Sequence, residues 1–265
     1  HIFLKGLLTV FLIGVISMCI IVGGVAVVVF GPYNDTVVEN LKEYNLNNLS
    51  LKYTTVIYAE NPDAQEGDED QYVELKRLHS DQNRLWVDLD ELPDYIENAY
   101  ISAEDKRFRE HDGVDWKRTA AAMGNLIFHY WDTEQGGSTI TQQLIKNISG
   151  DNDTSIQRKL REILGARYFE SVYDKDVIIE CYLNTIHLGS GVDGIEVASN
   201  YYFDKHAKDI SLTQAACLAA ITKNPSANNP YADPEKNLER RNWVLEEMYN
   251  NGYITREECD AAKEA

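Results

Sequence analysis

The sequence predicts a mainly α-helical protein with an N-terminal transmembrane helix and a small β-containing segment beside the membrane. Three observations carry this reading. No charged residue occurs from Leu7 to Phe30, a length that crosses a hydrocarbon core as a helix. From Pro93 onward, apolar residues recur at helical spacing between capping residues. Between these regions only short stretches have the alternation of strands.

Residues 1–31 form the expected anchor. Their apolar run is longer than a signal-peptide core, and it ends at Gly31-Pro32 with no small-residue cleavage pattern. Only Lys5 precedes it, so flanking charge gives little indication of orientation. The chain opens on His1 rather than Met, so more cytoplasmic sequence is expected upstream. Residues 32–84 read as a membrane-proximal linker with strands. A short polar helix or linker covers 33–52, and strand-like patches lie at Tyr53–Ala59, Gln71–His79 and around Arg84–Leu89. Glu60–Asp70 holds six acids and no base. It lacks the ligand spacing of a calcium loop and reads as a solvated loop.

Residues 85–265 form the main domain. Helices are expected to start at Asp115 or its neighbour, at Ser138 or Thr139, and at Thr154. Others start at Asp174, running through His187 with Gly189 after its end, at Ser211, and at Asp233-Pro234, closed by Gly252. Asn224-Pro225, Asn229-Pro230 and Asp233-Pro234 mark a loop before that closing helix. An Ala/Glu-rich helix follows Thr255.

Charge narrows the function. All 43 acidic residues and all but one of the 25 basic ones lie beyond the apolar run, and the net charge is −18. Nucleic acid is excluded as a partner, because phosphate backbones need positive contact faces. An anionic substrate would need a local basic patch. Cys19, Cys181, Cys217 and Cys259 show no CxxC spacing, so no disulfide framework or zinc site follows. Cys181 and Cys217 sit in apolar helical patterns as small core residues.

Three segments hold candidate chemistry. In Gly136–Asn147, a glycine pair leads into a helix on which Thr139, Gln142, Gln143 and Lys146 share one face, with Ile140, Leu144 and Ile148 opposite. Amides and an ammonium beside a glycine turn suit an oxygen-rich anion, although a solvated polar face would look the same. In Pro93–His111, Tyr100, Glu104 and Phe108 fall on one helical row. A glutamate between aromatics breaks simple patterning. It is either a proton acceptor or the ion-pair partner of Lys106, Arg107 or His111. In Thr154–Tyr173, Arg158, Arg161 and Glu162 lie opposite the apolar stripe, with Lys159 flanking. The choice there is between surface ion pairs and a cradle for a diphosphate.

The order of these motifs resembles glycosyltransferase family 51, the peptidoglycan glycosyltransferase domain of class A penicillin-binding proteins. Five blocks carry the resemblance. They are Glu104-Asp105-Lys106-Arg107-Phe108 with Glu110-His111, Gly113-Val114-Asp115; Gly136 through Asn147; Arg158-Lys159-x-x-Glu162; Tyr182-Leu183-Asn184 with Gly189, Gly191, Gly194-Ile195; and Leu218-Ala219-Ala220, Pro225, Asn229-Pro230 with Arg240-Arg241. They span roughly Leu85 to the end.

The resemblance implies a lysozyme-like, two-lobed α fold that polymerises lipid II outside the bacterial cytoplasmic membrane. Glu104 would be the general base on the acceptor 4-hydroxyl, and Glu162 the second essential glutamate. Ser138, Thr139, Gln142, Gln143, Lys146, Arg158, Lys159, Asn184, Asn229 and Arg240 would bind substrate. The cations would meet the undecaprenyl diphosphate that departs as the α-linkage inverts to β-1,4. The implied partners are lipid II, the growing glycan strand, the membrane and cell-wall synthesis proteins. A transpeptidase domain is expected beyond this chain's C-terminus. No dedicated cofactor is implied, but Mg or Mn could assist at the diphosphate.

The chain departs from the family pattern at Asp193, Gln214 and Arg109, and at none of the catalytic candidates. Asn34, Asn48, Asn147 and Asn152 begin chance glycosylation sequons. Two other readings stay open, a lysozyme-like glycan hydrolase and an inactive membrane-tethered lipid II-binding scaffold. The basic residues argue against the first, and retention of both glutamates argues against the second.

Overall fold

The computed structural model describes residues 2–48, 55–60, 72–78, 85–128, 136–150 and 155–265. Helix α1 (Ile2–Phe30) runs for 29 residues, about 43 Å at the helical rise. Its exposed side chains include Val10, Phe11, Ile20 and Val27. Among the described residues no helix is long and apolar enough to cross a membrane. The described side chains of α1 are interrupted and do not by themselves make up a span. Helix α2 (Pro32–Leu41) follows, with proline in its first turn, where no amide donor is needed. Strands β1 (Thr55–Glu60) and β2 (Tyr72–Leu78) pair antiparallel, with an irregularity between Ile57 and Tyr58. Most of the acidic segment between them, 61–70, lies outside the described residues, as do Thr154 and Asn152.

Among the described residues the third expected strand does not form. Residues 85–88 are irregular and lead into a 3-10 turn at Leu89–Glu91. The Leu85, Val87, Leu89 alternation has another cause. Val87 donates its N–H to Asn184 Oδ1 (3.0 Å) and accepts from Asn184 Nδ2 at its carbonyl (2.8 Å). One buried side-chain amide thus satisfies both backbone groups that a neighbouring strand would otherwise satisfy.

The remaining elements are α3 (Asp94–Glu104), α4 (Trp116–Phe128), α5 (Ile140–Ser149), α6 (Ile156–Val172), α7 (Lys175–Thr185), α8 (Ile195–Phe203), α9 (Leu212–Ile221), α10 (Pro234–Asn250) and α11 (Arg256–Glu264). Several of their starts are set by side-chain caps, while α3, α7 and α8 start without one. Thr139 and Ser211 form capping boxes with Gln142 and Gln214, and Asp233 accepts the Lys236 N–H. Gln214 therefore serves as the reciprocal partner of a cap. Helix α6 starts one residue later than expected, capped by Ser155. Helix α3 ends at Glu104, so Phe108 is not on its row and reaches the core from the following turn.

Helix α9 is rich in alanine, and Ala215, Ala216, Ala219 and Ala220 are buried. Their small side chains let α3 and α10 pack closely on either side. Helices α5, α6 and α7 form a second packed group, with α2 laid on α6 through Val37 and Leu41. The groups meet where Tyr100 of α3 stands edge-to-face with Tyr182 of α7, centroids 6.1 Å apart. Gly113, at φ +86°, brings its loop against α6 so closely that a Cβ would lie 2.4 Å from the Ala166 carbonyl oxygen. Only glycine fits there.

Candidate active site

Where the two helix groups meet, a cleft of about 360 Å³ opens. Its lining includes Glu104, Ser138, Gln142, Gln143, Lys146, Arg158, Lys159 and Glu162, together with Thr222 and Lys223. Eight of the twelve residues singled out from sequence therefore converge on one surface.

Glu104 closes α3 and is 9% exposed. The expected ion-pair partners are all engaged elsewhere. Lys106 pairs with Glu247, Arg107 with Asp115, and His111 with Asp105. Glu104 instead accepts from Gln143 Nε2 at Oε2 (2.7 Å) and meets the Thr222 hydroxyl at Oε1 (2.5 Å). Behind it, burial first and then the Glu104 charge push the Tyr182 phenol well above its ordinary pKa. Tyr182 stays protonated and donates to Gln143 Oε1 (3.3 Å).

The same cleft lining is rich in cations. Glu162 is 4% exposed and is bracketed by Lys159 Nζ (2.7 Å) and Arg158 (3.4 Å). Lys159 also donates to Ser138 Oγ (2.6 Å), which ties α6 to the glycine turn. Glu162 is buried while Lys159 keeps 38% of its side chain exposed, so solvent screens the pair in part. Four cations (Lys146, Arg158, Lys159, Lys223) face two carboxylates there, a local positive balance on a chain of net charge −18. Among the described residues no three His, Cys, Asp or Glu side chains converge as a metal-ligand set. Glu162, the carboxylate among these cations, is already taken up by Lys159 and Arg158.

Four predicted binding residues have other work. Thr139 is buried, caps α5, and donates to the Gly113 carbonyl (2.7 Å). Asn184 pins Val87. Asn229 is buried, donating to Ser190 Oγ (2.8 Å) and Tyr202 Oη (3.2 Å). Arg240 stacks on Trp243 at 3.8 Å in a neighbouring cavity of about 230 Å³ that shares only Lys223 with the cleft. Gln142 lines the cleft while its Oε1 accepts the Thr139 N–H (3.0 Å).

Three residues were missed. Asp105 is buried, its Oδ2 accepting the Ile140 N–H (3.0 Å) and facing His111 (3.0 Å), with Arg118 at 3.5 Å from Oδ1. It docks the start of α5 beside the end of α3. Thr222 and Lys223 follow α9, and Thr222 reaches Glu104 because α9 packs on α3. No local pattern marks that contact. Of the departures from the family pattern, Asp193 pairs with His187 (2.8 Å) and Arg109 bridges Glu97 and Asp176.

Penicillin-binding protein 1A of Aquifex aeolicus is 43% identical over 183 residues, 68% of this chain and 25% of that protein. Penicillin-binding protein 1F of Bacillus subtilis is 43% identical over 190 residues, 72% and 26%. The chain spans about a quarter of the length of these curated relatives. A crystal structure of Penicillin-Binding Protein 1A from Haemophilus influenzae aligns over 82% of this chain and 21% of that one. Its TM-score is 0.42 and its identity 21%, a likeness too slight to bear on the fold. Residues 71–249 match the family described as Transglycosylase, and they take in every residue that lines the cleft. The chain belongs to that transglycosylase family, glycosyltransferase family 51.

Proposed function

We propose that this chain is a peptidoglycan glycosyltransferase that polymerises lipid II into β-1,4-linked glycan with release of undecaprenyl diphosphate. One observation carries the reading: a buried carboxylate held by Gln143 and Thr222 shares a single cleft with a cluster of cations. Transfer to a sugar alcohol needs a base on the attacking oxygen and positive charge where the diphosphate leaves. Glu104 supplies the first. Lys146, Arg158 and Lys159 supply the second, with Ser138 and Gln143 as neutral partners and Glu162 holding the cations in place. An inverting displacement needs base and leaving group on opposite sides of the reacting carbon, and Glu104 and the cations lie on separate helices. The two helix groups support the lysozyme-like, two-lobed description. Mg or Mn at the diphosphate would come with the substrate, and no step here runs through it.

Helix α1, uncharged from Leu7 to Phe30 in sequence, supports a single-pass anchor over residues 1–31. It would keep the catalytic domain on the extracytoplasmic face, where a lipid-linked substrate is confined to two dimensions. Residues 32–84 would link anchor to catalytic domain. The relatives' greater length and names support a parent protein with a C-terminal transpeptidase domain.

The test is polymerisation of purified lipid II in detergent, with products resolved on gels, for wild type and Glu104→Gln. Polymer from wild type alone is expected. Lipid II binding without turnover would instead make the chain a scaffold, and shortening of preformed glycan would make it a hydrolase.

A further inference from the structure

Thr222 has one hydroxyl proton and two close acceptors. Its Oγ1 lies 2.5 Å from Glu104 Oε1 and 2.8 Å from the Ala219 carbonyl oxygen. A hydroxyl donates once, so the two contacts cannot both be donations from Thr222. When Glu104 is ionised, Thr222 donates to it, and the Ala219 carbonyl keeps the longer bond from the Thr222 N–H at 3.4 Å. When Glu104 is protonated, its own O–H donates to Oγ1, and Thr222 turns its proton to Ala219. The bond reverses without moving a heavy atom.

The other carboxylate oxygen lacks this freedom. Gln143 presents Nε2 to it at 2.7 Å, and the Tyr182 phenol, a donor, fixes the amide that way round by bonding Oε1. An amide N–H cannot accept, so Oε2 stays an acceptor in both states and the proton that Glu104 takes up belongs on Oε1. Resting on the reading of Glu104 as base, we propose that Thr222 is a positioning residue whose hydrogen bond reverses direction in each turnover. It holds Glu104 both before and after the carboxylate takes the acceptor's proton.

In that step the acceptor O–H bond breaks and its oxygen bonds the anomeric carbon. The proton passes to Glu104, and the bond to the diphosphate breaks with its electron pair leaving on the diphosphate. Thr222 neither gains nor loses a proton. The charged and titratable groups around Glu104 are Tyr100 and Asp105 beside it, Tyr182 from α7, and Lys146, Arg158, Lys159, Glu162 and Lys223 along the cleft.

The experiment compares the wild-type chain with Thr222→Val, Thr222→Ser and Glu104→Gln in lipid II polymerisation across pH. Valine removes the hydroxyl at nearly constant volume. Its kcat should fall about tenfold, the scale of one hydrogen bond to a charged group, with KM held within about twofold. The acid limb of its pH–rate profile should move to higher pH, because of the two bonds lost the charge-assisted one to the ionised carboxylate is the stronger. Thr222→Ser should restore both. An unchanged kcat and acid limb in Thr222→Val overturns the proposal, and so does a loss that serine fails to restore. Wild-type turnover by Glu104→Gln would instead overturn the assignment of the base.

Discussion

The Gln143 side chain, one turn into α5, donates to the Glu104 carboxylate across 2.7 Å and is itself held by Tyr182. Removing that donor in Gln143→Ala should lower kcat about tenfold while leaving thermal stability nearly unchanged. Gln143→Glu should do worse, since two carboxylates in contact cannot both ionise. Steady-state kinetics on the two variants, read against their melting temperatures, checks this. Equal activity of both with wild type would remove Gln143 from the mechanism.

Lys159 joins three parts of the cationic cluster. Lys159→Met should reduce polymerisation about a hundredfold, the scale for losing one preorganised group at a developing charge. It also leaves the buried Glu162 with Arg158 at 3.4 Å as its remaining ion pair. Glu162→Gln combined with Lys159→Met should therefore be more stable than Lys159→Met alone. Thermal unfolding of the three proteins decides the point.

Asp105 should matter most for folding. Its replacement by alanine orphans the Ile140 amide and leaves His111 and Arg118 without their shared carboxylate. Breaking such a buried network costs about 3–5 kcal/mol. For a domain of this size, that lowers the melting temperature by roughly 6–20 °C. A drop of under about 2 °C would show that the start of α5 is held by other contacts.

Helix α11 has a pH-dependent clasp. Lys263 and Arg256, both bonded to Glu246 of α10, hold that carboxyl down to about 2, from an ordinary 4.5. The folded value lies below the unfolded one, so the clasp contributes fully above about pH 4.5 and fades as pH falls through 2. Amide exchange in 256–264 should accelerate over that window more than in α9. Equal acceleration in both helices would mean global unfolding.

The anchor can be tested apart from the chemistry. The whole chain should float with liposomes, and a chain lacking residues 1–31 should remain in the dense fraction. Flotation of the truncated chain would assign membrane contact to another surface.

Much of the fold was legible because its signals are local. Thr139, Ser211 and Asp233 announce helix starts through their own side chains, and apolar spacing shows which face each helix buries. The cationic cluster was legible for the same reason, since Arg158, Lys159 and Glu162 are near neighbours on one helix. What could not be read depends on partners far apart in sequence. Leu85–Leu89 has the alternation of a strand, yet Asn184, 97 residues from Val87, satisfies its backbone. Thr222 meets Glu104 across 118 residues. The same amide that looked like a sugar contact in Asn184 is spent on the backbone, a distinction that composition alone cannot make.

The buried alanines of α9 have a consequence for inheritance. They act as a spacer between α3 and the turn bearing Thr222 and Lys223, so one added methyl group at Ala216 or Ala219 would reset the distance between base and partner. Catalytic rate can thus drift by substitutions that no sugar, lipid or inhibitor ever touches, and selection acting on the cleft would leave its mark two layers away from it.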